Sequence, residues 1–119
     1  MGKSPRYEFA LEYVEDVEAA RAFYEGVLGL TVQRYHPTFV QFEGFAIAGG
    51  EPLGGRNETE LYWSVEDAEA AHRELSEQAE VALPLTEMPY GKVFAVKDPA
   101  GRARFLLEWS RQRPSEAAP

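Results

Sequence analysis

The heptapeptide Val14-Glu15-Asp16-Val17-Glu18-Ala19-Ala20 returns as Val65-Glu66-Asp67-Ala68-Glu69-Ala70-Ala71, identical at six of seven positions and displaced by 51 residues (65 − 14 = 51). In a chain of 119 residues, a repeat at that spacing points to two copies of one supersecondary unit. The flanks repeat as well. An extended aromatic stretch precedes each copy (Tyr7 to Val14; Leu61 to Val65), and a β-rich run ending near a Gly-rich turn follows it.

Each copy reads as a strand, a capped helix and three further strands. Asp16 is a good N-cap, because its carboxylate can accept from the free amides of the first turn, and Glu18 suits the positive end of the helix dipole. Val17, Ala20, Ala22, Phe23, Tyr24, Val27 and Leu28 form an apolar stripe at helical spacing, and Gly29 stands where a left-handed C-cap belongs. Strands are predicted over Leu30 to Tyr35, Thr38 to Phe42 and Phe45 to Ala48, with turns at His36-Pro37 and Glu43-Gly44. In the second copy Glu60 to Val65 is a strand and Asp67 caps a helix to about Ala79. Val81 to Leu85, Lys92 to Val96 and Arg102 to Trp109 complete it, the last two joined by the tight turn Asp98-Pro99-Ala100-Gly101.

The order is βαβββ twice. It predicts an α+β domain of two tandem modules forming a cupped, incompletely closed β-barrel with the helices outside. Module 1 covers about residues 6–48, a Gly-rich linker 49–59 follows, module 2 covers about 60–110, and 111–119 is a flexible tail.

Composition narrows the function classes. A formal charge of −8 disfavours nucleic-acid phosphates and anionic membranes as partners. Cysteine is absent, which removes disulfides and thiol chemistry. The start MGKSPRYEF has no apolar h-region and no apolar run approaches spanning length, so a soluble cytoplasmic protein is expected.

Several stretches together resemble the vicinal oxygen chelate superfamily, the group of glyoxalases, bleomycin resistance proteins and extradiol dioxygenases. They are Tyr13-Val14-Glu15-Asp16, Ala22-Phe23-Tyr24 with Leu28-Gly29-Leu30, Val65-Glu66-Asp67, and Lys97-Asp98-Pro99-Ala100-Gly101. The likeness spans roughly Tyr7 to Trp109. It implies a homodimer, and in metal-dependent members a divalent ion held by the first and last strands of each module. Seven residues before each capping Asp, the ligand positions fall on Phe9 and Glu60. Four residues after the Gly of D-P-x-G comes Phe105, and the fourth position falls within Phe45-Ala46-Ile47-Ala48. Glu60 alone can ligate, whereas a divalent ion needs about three protein ligands. His72 is expected on a solvated helix face and His36 in a turn. No metal and no cofactor are therefore expected.

Strand alternation directs Phe9, Leu11 and Tyr13 into the cup from the first module. Glu60, Tyr62 and Ser64 enter from the second, and Ala103, Phe105 and Leu107 from the last strand. The leading expectation is a metal-free small-molecule-binding protein. Its ligand would be cationic or aromatic, such as an antibiotic held by sequestration, with Glu60 as counter-charge and a tyrosine face for cation–π contact. The alternatives are an enzyme with a degenerate metal site or with Glu60 as a general base, and a dimeric module without a ligand. Trp63 and Trp109 are candidates for a dimer contact. Glu12 and Arg104 fall on the helix-facing side of the alternation, so they must pair (with each other, or through Arg21 or Arg34) or escape to an edge.

Overall fold

The repeated helix start is visible as repeated geometry. In the computed structural model, which describes residues 4–110 and 115–116, Asp16 has φ −129° and ψ 100° and its carboxylate accepts from the Ala19 amide at 3.0 Å. Asp67 has φ −140° and ψ 100° and accepts from the Ala70 amide at 3.1 Å. Just before each cap the chain leaves its strand in the same way. The Val14 amide donates to the Ala48 carbonyl at 2.8 Å, and the Val65 amide to the Leu107 carbonyl at 2.9 Å. Extended backbone at the cap lets one carboxylate satisfy an amide that the helix itself cannot.

The chain forms two units, one of Phe9–Thr59 with Pro114–Pro119 and one of Met1–Glu8 with Glu60–Arg113. They are called here the first and second units. The first contains most of β1 (Arg6–Tyr13), α1 (Val17–Arg21) running on into a π-helical turn (Ala22–Val27), β2 (Arg34–His36), β3 (Phe39–Phe42) and β4 (Gly44–Ala48). Its strands lie in the order β1-β4-β3-β2, with β1 parallel to β4 and the other pairs antiparallel. The second contains β5 (Glu60–Ser64), α2 (Ala68–Ser76), β6 (Val81–Met88), β7 (Gly91–Lys97) and β8 (Ala103–Trp109). Its order is β5-β8-β7-β6, again one parallel pair followed by antiparallel ones. Strand for strand the units match: βαβββ occurs twice.

Each helix covers one side of its unit's strands. In the first unit Val17 is buried with Val32, Val40, Phe42 and Ile47, and Ala20, Tyr24, Leu30 and Phe45 pack around them. In the second unit the His72 ring of α2 stands edge-on to buried Phe94 at 5.1 Å. His72 thus packs against the core, unlike the solvated residue expected, because α2 turns this position toward β7.

The two helix starts are seated differently. Gly49 leaves room for the larger Val17, whose Cγ2 lies 3.3 Å from where a Cβ would stand. In the second unit the residue corresponding to Val17 is the smaller Ala68, and Glu108 Oε1 accepts from its amide at 2.9 Å.

Four expectations are corrected. The apolar stripe of the first helix is only partly buried: Phe23, Val27 and Leu28 are 47%, 71% and 54% exposed. The Leu28 amide reaches back five residues to the Phe23 carbonyl at 3.0 Å. That wider π-helical step rotates the later positions away from the core. Gly29 does take the left-handed cap, at φ 79°. Strand β2 covers Arg34–His36 where Leu30 to Tyr35 was predicted, because Leu30 and Val32 serve the core before pairing with β3 begins. Strand β6 runs on to Met88, past Pro84. It lies at the end of the second unit's strand order, where proline is tolerated, and its register shifts at Val81/Leu83 and Leu83/Thr86. Helix α2 ends at Ser76, three residues short of Ala79 (79 − 76 = 3).

The turn Asp98-Pro99-Ala100-Gly101 is held by its Asp. Asp98 Oδ1 accepts from the amides of Ala100 and Arg102, both at 2.9 Å. The Arg102 amide above all holds the Asp98 carboxyl below its usual range. Of the expected tail, only Ser115–Glu116 is described, as a short strand paired with β2; the remainder of 111–119 lies outside the described residues.

Candidate functional site

Alternation along β8 separates two faces in the second unit. Leu106 lies opposite Phe94, which touches α2, and Glu108 reaches the start of α2. Ala103, Phe105 and Leu107 therefore face away from the helix. On β5 the parallel register places Tyr62 opposite Phe105 and Ser64 opposite Leu107. Glu60, Tyr62, Phe105 and Leu107 are buried on this face, and Ser64 and Ala103 half-buried.

Glu60 is the unusual member, a carboxylate only 3% exposed among aromatic rings. Tyr62 Oη donates to Glu60 Oε1 at 3.1 Å, and the Tyr62 ring stacks on Phe105 with centroids 4.8 Å apart and planes 20° apart. The stack fixes the tyrosine, and the fixed tyrosine orients the carboxylate. A hydrogen bond offsets part of the cost of burying a polar group. Ser64 Oγ donates to the Arg6 carbonyl at 3.4 Å and so ties β5 to the start of β1.

Tyr90, which the sequence reading did not single out, belongs to the same face. It precedes Gly91, which lies opposite Trp109 in the β7–β8 register, and its ring stands 6.2 Å from that of Trp109. The hairpin comes very close to β8 there: the Ser110 amide donates to the Tyr90 carbonyl at 2.9 Å. Gly91 has φ 153°, and a Cβ would run into the Glu108 carbonyl. Only glycine fits. Burial, and secondarily the negative charge of Glu60, push the Tyr90 hydroxyl up to about 12. The Pro89-Tyr90-Gly91 sequence is a usable signal for a tight turn, but nothing in it announces nearness to Glu60.

In the first unit the side away from α1 carries Phe9 opposite Gly44, Leu11 opposite Ala46 and Tyr13 opposite Ala48. Phe9 and Leu11 are buried and Tyr13 half-buried. Phe39 and Gln41 share that side through their register with Ala48 and Ala46. The Phe9 and Phe39 rings meet at 5.7 Å. Gln41, 2% exposed, accepts from Arg34 Nη1 at 2.6 Å. This polar pair was also not foreseen, since an isolated Gln in a short strand gives no signal for burial.

Glu12 and Arg104 each find a polar partner within the described residues. Glu12 is half-buried and accepts from Thr59 Oγ1 at 3.4 Å. Arg104 pairs with Asp98 at 3.2 Å. Both reach polar partners near the ends of their strands.

The positions that would hold a divalent ion do not fit one. Phe9 and Phe105 present phenyl rings, Gly44–Ala48 presents no donor side chain, and Glu60 already accepts from Tyr62. Among the described residues no three His, Asp or Glu side chains come together in a way that could hold a metal. Nor is any helix among them long and apolar enough to cross a membrane.

A family model described as bleomycin resistance protein-like N-terminal matches residues 11–44. No curated protein sequence matches the chain. Among solved structures, a glyoxalase/bleomycin resistance protein/dioxygenase superfamily member from Vibrio splendidus 12B01 superposes with a TM-score of 0.64 and 22% identity, over 88% of this chain and 99% of that one. The chain carries the vicinal oxygen chelate fold. A structure titled NAD-dependent benzaldehyde dehydrogenase from Legionella pneumophila is also similar, with a TM-score of 0.70 and 23% identity, over 86% of this chain and 98% of that one. An extradiol ring-cleaving dioxygenase from B. fuscum shares the fold at a TM-score of 0.59 and 18% identity, and 98% of this chain corresponds to 35% of it. Proteins so differently named on one fold mean that chemistry must be argued from side chains, not from the fold.

Proposed function

We propose that this protein binds a small, flat, positively charged aromatic compound, without a metal, and holds it rather than transforming it. The observation that carries the reading is Glu60, a carboxylate buried on an aromatic sheet face and oriented by Tyr62. A buried carboxylate and the faces of aromatic rings both attract an organic cation, and stacked rings favour a flat partner. Ser64, Ala103, Phe105 and Leu107 are proposed as the remaining contacts beside Glu60 in the second unit, and Phe9, Leu11 and Tyr13 are proposed separately as ligand-facing residues of the first unit. Sequestration of an antibiotic by a cytoplasmic homodimer is the biological form this takes. The match to a bleomycin resistance protein-like segment supports it.

Thermal denaturation with matched probes tests the reading. 1-Naphthylmethylammonium should raise the melting temperature more than neutral 1-naphthalenemethanol at equal concentration, since binding to the folded state stabilises it by mass action. Equal shifts, or none, would remove the role of Glu60. About one divalent ion per chain in protein purified without a metal-affinity tag would sink the metal-free part.

The Tyr62–Glu60 hydrogen bond favours a second reading, in which Glu60 removes a proton from a carbon acid beside the phenol. Deuterium incorporation into a bound compound in D2O, lost in Glu60→Gln, would select it.

A further inference from the structure

Pro89 and Tyr90 form the two-residue turn between Met88 and Gly91, which pair across the β6–β7 hairpin. The turn is pinned to β8 at two points: Gly91 lies opposite Trp109, and the Ser110 amide donates to the Tyr90 carbonyl at 2.9 Å. Because no side chain would fit at Gly91, the backbone here has little room to shift. The Tyr90 ring is set edge-on to Trp109. Trp109 continues the series Ala103, Phe105, Leu107 along β8, so Tyr90 stands on the non-helical face of the second unit.

The two ends of that face offer different chemistry. Glu60 precedes Tyr62, which pairs with Phe105, and so stands toward the start of β8; Tyr90 stands at its end. The Glu60 carboxylate already accepts from Tyr62. Among the described residues the Tyr90 hydroxyl has no hydrogen-bond partner, although the residue is half-buried. Burial, and secondarily the negative charge of Glu60, push this hydroxyl up to about 12, so at neutral pH it is a donor. A half-buried donor without an acceptor is unfavourable, and one already held in place strengthens binding of whatever supplies the acceptor. We propose that Tyr90 selects the ligand: a flat aromatic cation whose ring system also bears a hydrogen-bond acceptor, with the cationic group at Glu60 and the acceptor at the Tyr90 hydroxyl. The proposal rests on this face being the cation site and narrows what that site takes.

Calorimetric titration compares 1-naphthylmethylammonium with isosteres in which one ring CH is replaced by nitrogen: quinolin-4-yl-, quinolin-5-yl- and isoquinolin-5-ylmethylammonium. The ratio of each isostere's Kd to that of the naphthyl probe is measured in the unsubstituted protein and in Tyr90→Phe, which retains the ring but loses the donor. Comparing ratios cancels differences in probe hydration. For at least one isostere the ratio should rise about fivefold in Tyr90→Phe, the worth of one neutral hydrogen bond. Unchanged ratios for every isostere, with the naphthyl probe still bound, would overturn the role of Tyr90 and leave the cation site standing. Absence of binding by every probe to the unsubstituted protein would overturn both. If Tyr90→Phe fails to fold, the 15N shift of the tightest isostere's ring nitrogen, bound to the unsubstituted protein, decides. A shift near the value in alcohol, where the nitrogen accepts a hydrogen bond, supports the proposal; one near the value in hydrocarbon overturns it.

Discussion

Glu60 and Tyr90 act on each other across the non-helical face of the second unit. The phenol is partly buried, and the carboxylate adds a negative charge that opposes a second one. A tyrosine raised to about 12, against an ordinary value near 10, stays protonated longer in the folded chain than in the unfolded one. Its contribution to stability is therefore complete below pH ~10 and lost as the pH climbs from ~10 to ~12. After allowance for partial exposure, that loss is about 1–2 kcal/mol. Replacing Glu60 by Gln removes the smaller of the two causes. Tyrosinate absorbance at 295 nm should then show one tyrosine titrating lower than in the unsubstituted protein, yet still above ~10 because burial remains. An unmoved titration would mean that Glu60 and Tyr90 are not electrostatic neighbours. Tyr62 plays a different part. Its ring is committed to Phe105 and its hydroxyl to Glu60, so it positions the carboxylate.

The helix starts are the elements most fully written in the sequence. Asp16 and Asp67 have nearly the same dihedrals and each accepts one amide three residues on. Removing either carboxylate should cost about 1 kcal/mol. The costs should differ in order, however. In the second unit Glu108 also accepts from the first turn of α2, so Asp67→Ala leaves one acceptor in place. We therefore predict that Asp16→Ala lowers the midpoint of urea unfolding more than Asp67→Ala. The reverse order would show that Glu108 does not share the capping. The heptapeptide revealed both caps because a cap is local. It could not reveal the π-helical turn that follows α1, since Ala22, Phe23, Tyr24 and Val27 fit an α-helical stripe equally well by spacing. Nor could it reveal Glu108, which reaches α2 from a strand 40 residues away in sequence (108 − 68 = 40).

At the scale of the whole molecule, the βαβββ repeat was legible, because it depends on repetition and on period-2 alternation within each copy. Contacts made by the β6–β7 hairpin were not legible, and they brought in Tyr90. The expected partner is a second copy of the chain, and each tryptophan proposed for its contact already meets one ring of its own unit. Trp63 meets Tyr7 at 6.1 Å and Trp109 meets Tyr90, and both tryptophans are half-buried. Phe23, Val27 and Leu28 instead form an exposed apolar group on the π-helical turn. Exposed clusters of this kind often mark association surfaces. If they carry the homodimer, Leu28→Glu should convert it to monomer in light scattering while leaving the melting temperature of the monomer unchanged. A dimer that survives the change would exclude this surface.

The central proposal is that the buried Glu60 carboxylate, on its aromatic face, holds a cationic aromatic ligand. Calorimetric titration of 1-naphthylmethylammonium into the unsubstituted protein and into Glu60→Gln tests it most directly. Removing one partner of a close charge pair typically costs 2 kcal/mol or more, so Kd should rise at least ~30-fold in the variant. Equal dissociation constants for the two proteins would contradict the claim.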